Sequence, residues 1–340
     1  MTRIVPAGKV LLFTFFIGVI IAGSLLLTLP DMWRGKGELA YIDALFTAVS
    51  AVCVTGLVTV DTSQFTMLGQ IVILLLIQTG GLGIVTFSTI YLTGPTAKIS
   101  LSNRQIINEY YVESVEYDPR RIVRNIVILT FTAEAVGTLL LLGGFRGHAH
   151  GSLLFSALFH SVSAFCNAGF SLYDNSMEDY SGNGLVLGTI MALIILGGLG
   201  FVVVQDVIRK FRRRRHRLSL HSRVMLAGTV VLIIGGALFY LVMEQRHSMR
   251  SLSHGNRVLG ALFQSVTTRT AGFNAINEAE MTMPSKALTL LLMFIGGGPG
   301  SIAGGVKVTT FVLMLAIALR TGDEAVSTWS VSMRSGSFVN

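Results

Sequence analysis

Three stretches of this chain carry one pattern in one setting. "LFTAVSAVCVTGL" (residues 45–57) aligns without gaps to "LFHSVSAFCNAGF" (158–170), and "LFQSVTTRTAGF" (262–273) matches with one residue fewer. Each lies between two long apolar runs, and the runs that follow share a glycine signature: "TGGLG" at 79–83, "LGGLG" at 196–200 and "GGGPG" at 296–300. Segments too short to span a bilayer, each held between segments long enough to, point to one structural device used three times.

The runs themselves set the fold class. Of 340 residues, 51% are hydrophobic and 13% charged, whereas soluble domains are roughly a quarter charged. A helical span needs about 20 apolar residues. The chain therefore reads as an all-α membrane protein of repeated membrane-pore-membrane units around a central pore. Each unit is a helix, a re-entrant pore helix, a filter loop and a second helix. Outer helices are expected over 10–30 and 66–92, 123–145 and 184–208, then 223–243 and 284–320, with pore helices over 41–54, 153–166 and 257–269. The first run is too long for a signal-peptide core and has no small-residue cleavage site behind it, so it reads as a span. The units divide the chain into a first repeat (1–95), a cytoplasmic linker (96–120), a second repeat (121–210), a basic cytoplasmic linker (211–222), a third repeat (223–320) and a tail (321–340).

Charge assigns the sides. The net charge of +8 could suggest nucleic acid, but the run "RKFRRRRHR" (209–217) directly follows an apolar segment. That is where a cytoplasmic anchor belongs, in contact with anionic lipid headgroups; nucleic acid is not an expected partner. Seventeen of the 26 Lys and Arg fall on flanks that would be cytoplasmic and seven on the opposite flanks. The N-terminus is then cytoplasmic, the three motifs lie toward the outside, and the plasma membrane is the expected location of this multi-pass chain.

Backbone that leaves helical form inside a bilayer must be buried in protein or line a watery cavity. Glycine at such a point permits angles other residues avoid, so carbonyl oxygens can replace the hydration shell of an ion. The short helix before it directs a negative dipole end at the cavity, which favours a cation. The candidate ligands are the backbones of Val54, Thr55 and Gly56, of Asn167, Ala168 and Gly169, and of Thr270, Ala271 and Gly272. Neutral, carbonyl-rich stretches suit a monovalent cation better than a divalent one. Cys53 and Cys166 each stand three residues before a motif glycine, a position that reads as buried. No Cys/His cluster with metal-ligand spacing and no catalytic triad is visible, so an enzyme is not expected. The glycine-rich stretch from 296 invites comparison with a phosphate-binding loop, but Val306 separates Gly305 from Lys307 and spoils that pattern.

"AVCVTGLVTVDT" (51–62), "SVSAFCNAGFSLYDNSM" (161–177), "SVTTRTAGFN" (265–274) and "GGGPGSIAGGVKVTT" (296–310) together resemble the Trk/Ktr/HKT superfamily of potassium transporters, nearest its bacterial KtrB-type membrane subunits. The resemblance covers nearly the whole chain. It implies four pseudo-repeated units with one filter glycine each, here Gly56, Gly169 and Gly272. The cargo it implies is potassium, with sodium in some members; glycine at the first filter position resembles the potassium-selective ones. It also implies an intramembrane gate loop at 296–305, comprising Gly296, Gly297, Gly298, Pro299, Gly300, Ser301, Gly304 and Gly305 with Lys307 beside it. "GGGPGSIAGG" cannot sustain a helix in any case. A homodimer and a cytoplasmic nucleotide-binding regulatory ring of RCK type, docked on the basic face, are implied partners.

The expected function is thus potassium uptake across the plasma membrane by the ion-translocating subunit of a Ktr/Trk-type system. The alternatives are a sodium-coupled or sodium-selective transporter of the same fold, or a truncated, non-transporting fragment. The last arises from spacing: the filter glycines stand 113 and 103 residues apart, which places a fourth near about 375. The expectation is a chain with three of four repeats, its pore completed by another chain if it transports. Arg269 is expected to point away from the pore and bind carbonyls or a carboxylate behind the filter. Glu134, an isolated acid in a span, reads either as paired to a neighbouring helix near Arg269, which is the favoured reading, or as an ion relay. Lys307 either holds the gate loop or anchors the cytoplasmic side. Asp61, Asp174, Glu178 and Asp179 either attract cations to the outer mouth or are solvated loop charges.

Overall fold

The computed structural model describes residues 7–93, 119–146, 152–212 and 217–318. Most of the expected linker at 96–120 and the tail at 321–340 lie outside the described residues. Eleven α-helices occur among those described, and no strand. The first unit comprises α1 (Ala7–Leu27), α2 (Tyr41–Val52) and α3 (Met67–Thr93). The second comprises α4 (Pro119–Gly144), α5 (Leu153–Phe165), α6 (Gly184–Leu199) and α7 (Phe201–Arg212). The third comprises α8 (Leu220–Glu244), α9 (His254–Thr267), α10 (Met283–Phe294) and α11 (Val308–Ala318).

Among the described residues three helices are long and apolar enough to cross a membrane, within Met67–Phe87, Arg120–Gly144 and Leu220–Glu244, and the bent pair α6–α7 is long and apolar enough only when its two helices are taken together. Their outward residues, such as Leu139 and Val231, are exposed, as helices facing hydrocarbon require. α5 has 13 residues and so measures about 20 Å, too short for a core of about 30 Å. Capping fixes where the later helices start. Ser152, Asn183, Ser219 and Ser253 each accept a backbone N–H from the first turn of the helix they precede. In α10, proline occupies the first turn, where its missing N–H costs nothing.

Each short helix packs into the fork of its own unit: α2 against α1 and α3, α5 against α4 and α6, α9 against α8. A shared contact sets the depth. Ser161 Oγ donates to the Glu134 carbonyl at 2.7 Å, and Ser265 Oγ donates to the Ile233 carbonyl at 2.8 Å. Gly137 and Gly236, three residues further along each long helix, leave room for those hydroxyls. The units join through α3 against α4 and α5, and through α6 against α9. The second unit therefore has neighbours on both sides, and α5 buries nearly its whole length whereas α2 buries mainly its last turns.

Two breaks interrupt long helices. The one at 295–307 falls where a gate loop is expected. The other departs from expectation: the run over 184–208 is not one helix, because Gly200 has φ +89° and α6 and α7 meet at a bend of 105°.

Candidate ion pathway

α2, α5 and α9 lead into three loops of one backbone design. Each loop has two left-handed residues two positions apart: Val54 and Gly56 (φ 56° and 72°), Asn167 and Gly169 (52° and 70°), Thr270 and Gly272 (71° and 85°). For Val54 and Thr270, both β-branched, this is a strained conformation, at an order of 1–3 kcal/mol each. One bond common to all three loops holds them there. The N–H of Thr55 donates to the Ser50 carbonyl at 2.9 Å, that of Ala168 to Ser163 at 2.7 Å and that of Ala271 to Thr267 at 2.9 Å. A second bond recurs in two loops: Ser163 Oγ donates to the Phe170 carbonyl and Thr267 Oγ1 to the Phe273 carbonyl, each at 2.8 Å.

The loops meet. A Cβ on Gly169 would lie 2.6 Å from the Ala271 carbonyl oxygen, and a Cβ on Gly56 would run into the Ala168 carbonyl oxygen. The carbonyl of each following loop thus occupies the space against the glycine of the one before, and glycine is required twice over, by φ and by room. Three helix C-termini end at these facing loops, adding their negative dipole ends. The arrangement presents neutral oxygen acceptors in an apolar surround, which is what a dehydrated monovalent cation needs. The series is open at its two ends. Thr55 in the first loop and Gly272 in the third are exposed, whereas Asn167 and Ala168 in the middle loop are buried.

Behind the loops, Gly80 and Gly197 are equivalent. A Cβ on either would strike the carbonyl that ends its own pore helix, Val52 or Phe165. The two cysteines differ, against expectation: both are free, but only Cys166 is buried and Cys53 is exposed. Cys166 packs its sulfur on Gly81 of the preceding unit, and the first unit has no preceding neighbour among the described residues. The middle loop is further braced by His160, buried in α5. The Leu172 N–H donates to its Nε2 at 3.3 Å, so Nδ1 carries the proton and donates to the Ser156 carbonyl at 2.7 Å. Its ring stacks on Tyr173 with centroids 4.9 Å apart.

Arg269 is buried and points away from the loop centre: its Nη2 donates to the Gly296 carbonyl at 3.2 Å. It is not the partner of Glu134, whose carboxylate accepts from Gln78 Nε2 at 3.2 Å. The two residues lie on opposite flanks of the second unit, so the suggested ion pair does not form. Glu134 is moreover not part of the shared design, because Ile233 takes its place in the third unit.

The loop between α10 and α11 closes on itself. Gly296 N–H donates to the Val306 carbonyl at 3.0 Å and Val306 N–H to the Phe294 carbonyl at 2.9 Å. Inside, Ser301 Oγ donates to the Gly298 carbonyl at 2.6 Å and Lys307 Nζ to the Ala303 carbonyl at 2.7 Å, so Lys307 ties the loop to itself. Gly304 N–H donates to Thr270 Oγ1 at 3.2 Å. Together with the Arg269 bond, this hangs both ends of the loop from the third pore loop. Sequence reasoning noted the "TGGLG" and "LGGLG" signatures without a role for them, and it did not single out Ser163, Thr267 or His160. The alignment of Ser163 with Thr267 was a usable signal; the bracing by His160 carried none.

Short helices ending on mutually facing loops, within a bundle of membrane-spanning helices, define a membrane transport architecture. The family model described as TrkH, cation transport protein, matches residues 12–332. The chain belongs to this family, which is one of ion transporters and not of enzymes. It is 40% identical over 306 residues to the Ktr system potassium uptake protein B of Vibrio alginolyticus, covering 88% of this chain and 66% of that one. It is 39% identical over 308 residues to the potassium/sodium uptake protein NtpJ of Enterococcus hirae, covering 88% of this chain and 67% of that one. The chain thus spans about two thirds of the length of these relatives. The crystal structure of the potassium transporter TrkH from Vibrio parahaemolyticus shares the fold, with TM-score 0.73 and 19% identity over 93% of this chain and 62% of that one.

Proposed function

We propose that this chain forms the ion-conducting part of a potassium uptake system of Ktr/Trk type. Cations pass between the three loops, stripped of water and held by the backbone carbonyls of residues 54–56, 167–169 and 270–272. The observation that carries this reading is the successive seating of Gly56 against the Ala168 carbonyl and of Gly169 against the Ala271 carbonyl. Backbone oxygens at such close quarters, in strained and repeated geometry, serve no purpose in a plain helix bundle. Loop 296–305, hung beneath the third pore loop, obstructs the path and opens it by moving. The exposed faces of Thr55 and Gly272 are where a further segment, from this polypeptide or another, completes the ring. Sodium enters the same reading as a competing cargo, since one relative is named for both ions. The chain sits in the plasma membrane with its N-terminus in the cytoplasm, pairs as a homodimer, and receives a cytoplasmic nucleotide-binding ring on its basic face.

The test is rubidium and sodium uptake in cells without their own potassium uptake. Gly169→Ala forces a Cβ against a carbonyl at a left-handed position and should lower rubidium uptake tenfold or more at unchanged membrane abundance. Gly56→Ser should narrow the preference for rubidium over sodium. If both variants keep the parent's uptake and ion preference, the loops are not the filter.

A further inference from the structure

We propose that loop 296–305 and the break between α6 and α7 are two halves of one backbone exchange: when the loop leaves its seat, α6 and α7 join into a single helix. A helix broken at Gly200 leaves polar backbone groups without helical partners in a setting where water cannot serve them. The loop supplies those partners. Ile302 N–H donates to the Gly197 carbonyl at 3.3 Å, Gly298 N–H donates to the Gly198 carbonyl at 2.8 Å, and Phe201 N–H donates to the Gly300 carbonyl at 3.3 Å. In an unbroken α-helix the Gly197 carbonyl takes the Phe201 N–H, four residues on, and the Gly198 carbonyl takes that of Val202. The groups released by the loop are therefore those that a joined helix pairs. Neither half can change alone without stranding backbone groups in the bilayer.

Glycine permits both states. Gly200 at φ +89° has room only because it lacks a Cβ, which would lie 2.6 Å from the Pro299 carbonyl oxygen. A Cβ on Gly297 or Gly298 would likewise strike the Gly198 or Leu199 carbonyl. The hydrogen bonds of the seat are backbone on backbone; around them Ile302 and Phe201 belong to one buried apolar cluster, and Ile295, Leu199 and Val203 to another. α7 has 12 residues, with Arg209, Lys210 and Arg212 in its last turn, and is a lever of about 18 Å. Joining the helices swings that basic end through a bend of 105°. Whatever acidic surface grips it then biases the loop. This last step rests on reading 296–305 as the gate; the exchange itself does not.

The experiment measures spin-label distances in the full chain in lipid nanodiscs, its own cysteines replaced by alanine. Labels go at Leu185→Cys and Phe211→Cys, both exposed positions on α6 and α7. Gly200→Ala favours helix over break about fivefold by propensity alone, and it clashes with the seat besides. Gly298→Ala disturbs only the seat and leaves α6 and α7 unaltered. Both should add a longer distance component to the single short one of the parent. Ser301→Ala, which deletes a hydroxyl bonded to the Gly298 carbonyl, should do so more weakly and serves if the glycine variants fail to accumulate. Folded variants that keep the parent's distance distribution would overturn the exchange. A longer distance without raised rubidium flux would uphold the exchange and refute the gate reading.

Discussion

Ser163 shows how one side chain sets a loop. Its hydroxyl is buried and donates to the Phe170 carbonyl, just past the second motif glycine, and Thr267 does the same for Phe273 in the third loop. Removing either hydroxyl leaves a buried carbonyl unserved, at about 1–3 kcal/mol. Ser163→Ala and Thr267→Val should each lower the thermal midpoint in detergent. The Ser163 variant should also lower rubidium uptake more than its stability loss explains, because the bond aligns the segment that follows Gly169. A midpoint unchanged in both would mean that water or another donor serves those carbonyls. The glycines and the Ser/Thr pairs were legible from the repeat, since a pattern that recurs through three units reports a shared backbone. His160 was not: it has no counterpart in the other motifs, and its bond from Leu172 exists only once the chain has turned back along α5.

Short helices and loops that follow the second and third pore loops bring carboxylates together. Burial pushes the Glu178 carboxyl above the usual carboxylate range, and Asp179, Glu280 and Glu278 push it the same way. The folded chain thus holds this proton more tightly than the unfolded chain does. The resulting stability is full below the ordinary value of about 4.3 and is lost as pH rises through the higher folded value. The thermal midpoint should fall across that window, and Glu178→Gln should flatten the fall; parallel curves for parent and variant would show that the charges are well solvated. In sequence, Glu178 and Glu280 are 102 residues apart, and the loops that carry them are joined through Met177 N–H on the Asn274 carbonyl at 2.7 Å. Helix positions were easier. Long apolar runs mark them, so α4, α5, α8 and α9 begin and end within a few residues of expectation. The break at Gly200 escaped, because three glycines among "ILGGLGFVVV" are compatible with a continuous helix until a partner takes the freed backbone groups.

The three units together bring three loops face to face as none does alone, and the ends of that series differ from its middle. Cys166 is enclosed by α3 of the unit before it, while Cys53 has no such neighbour among the described residues and is exposed. A membrane-permeant maleimide should label Cys53 rapidly in the folded chain and Cys166 only on unfolding. Where a further segment closes the ring between the first and third loops, labelling of Cys53 should slow toward the rate of Cys166. Fast labelling of Cys166 in the folded chain would contradict the seam between the first two units. Apolar run length, charge asymmetry and the threefold motif are local or periodic properties, and from them alone came the helical membrane fold, the short re-entrant helices and the glycines at which backbone must turn. Which carbonyl faces which glycine, why Arg269 binds the Gly296 carbonyl and Glu134 binds Gln78, and how two broken helices satisfy each other all depended on the packed molecule. Backbone groups are the same at every residue, so their pairing leaves no mark in the sequence and is settled only when units distant in the chain come within hydrogen-bonding reach.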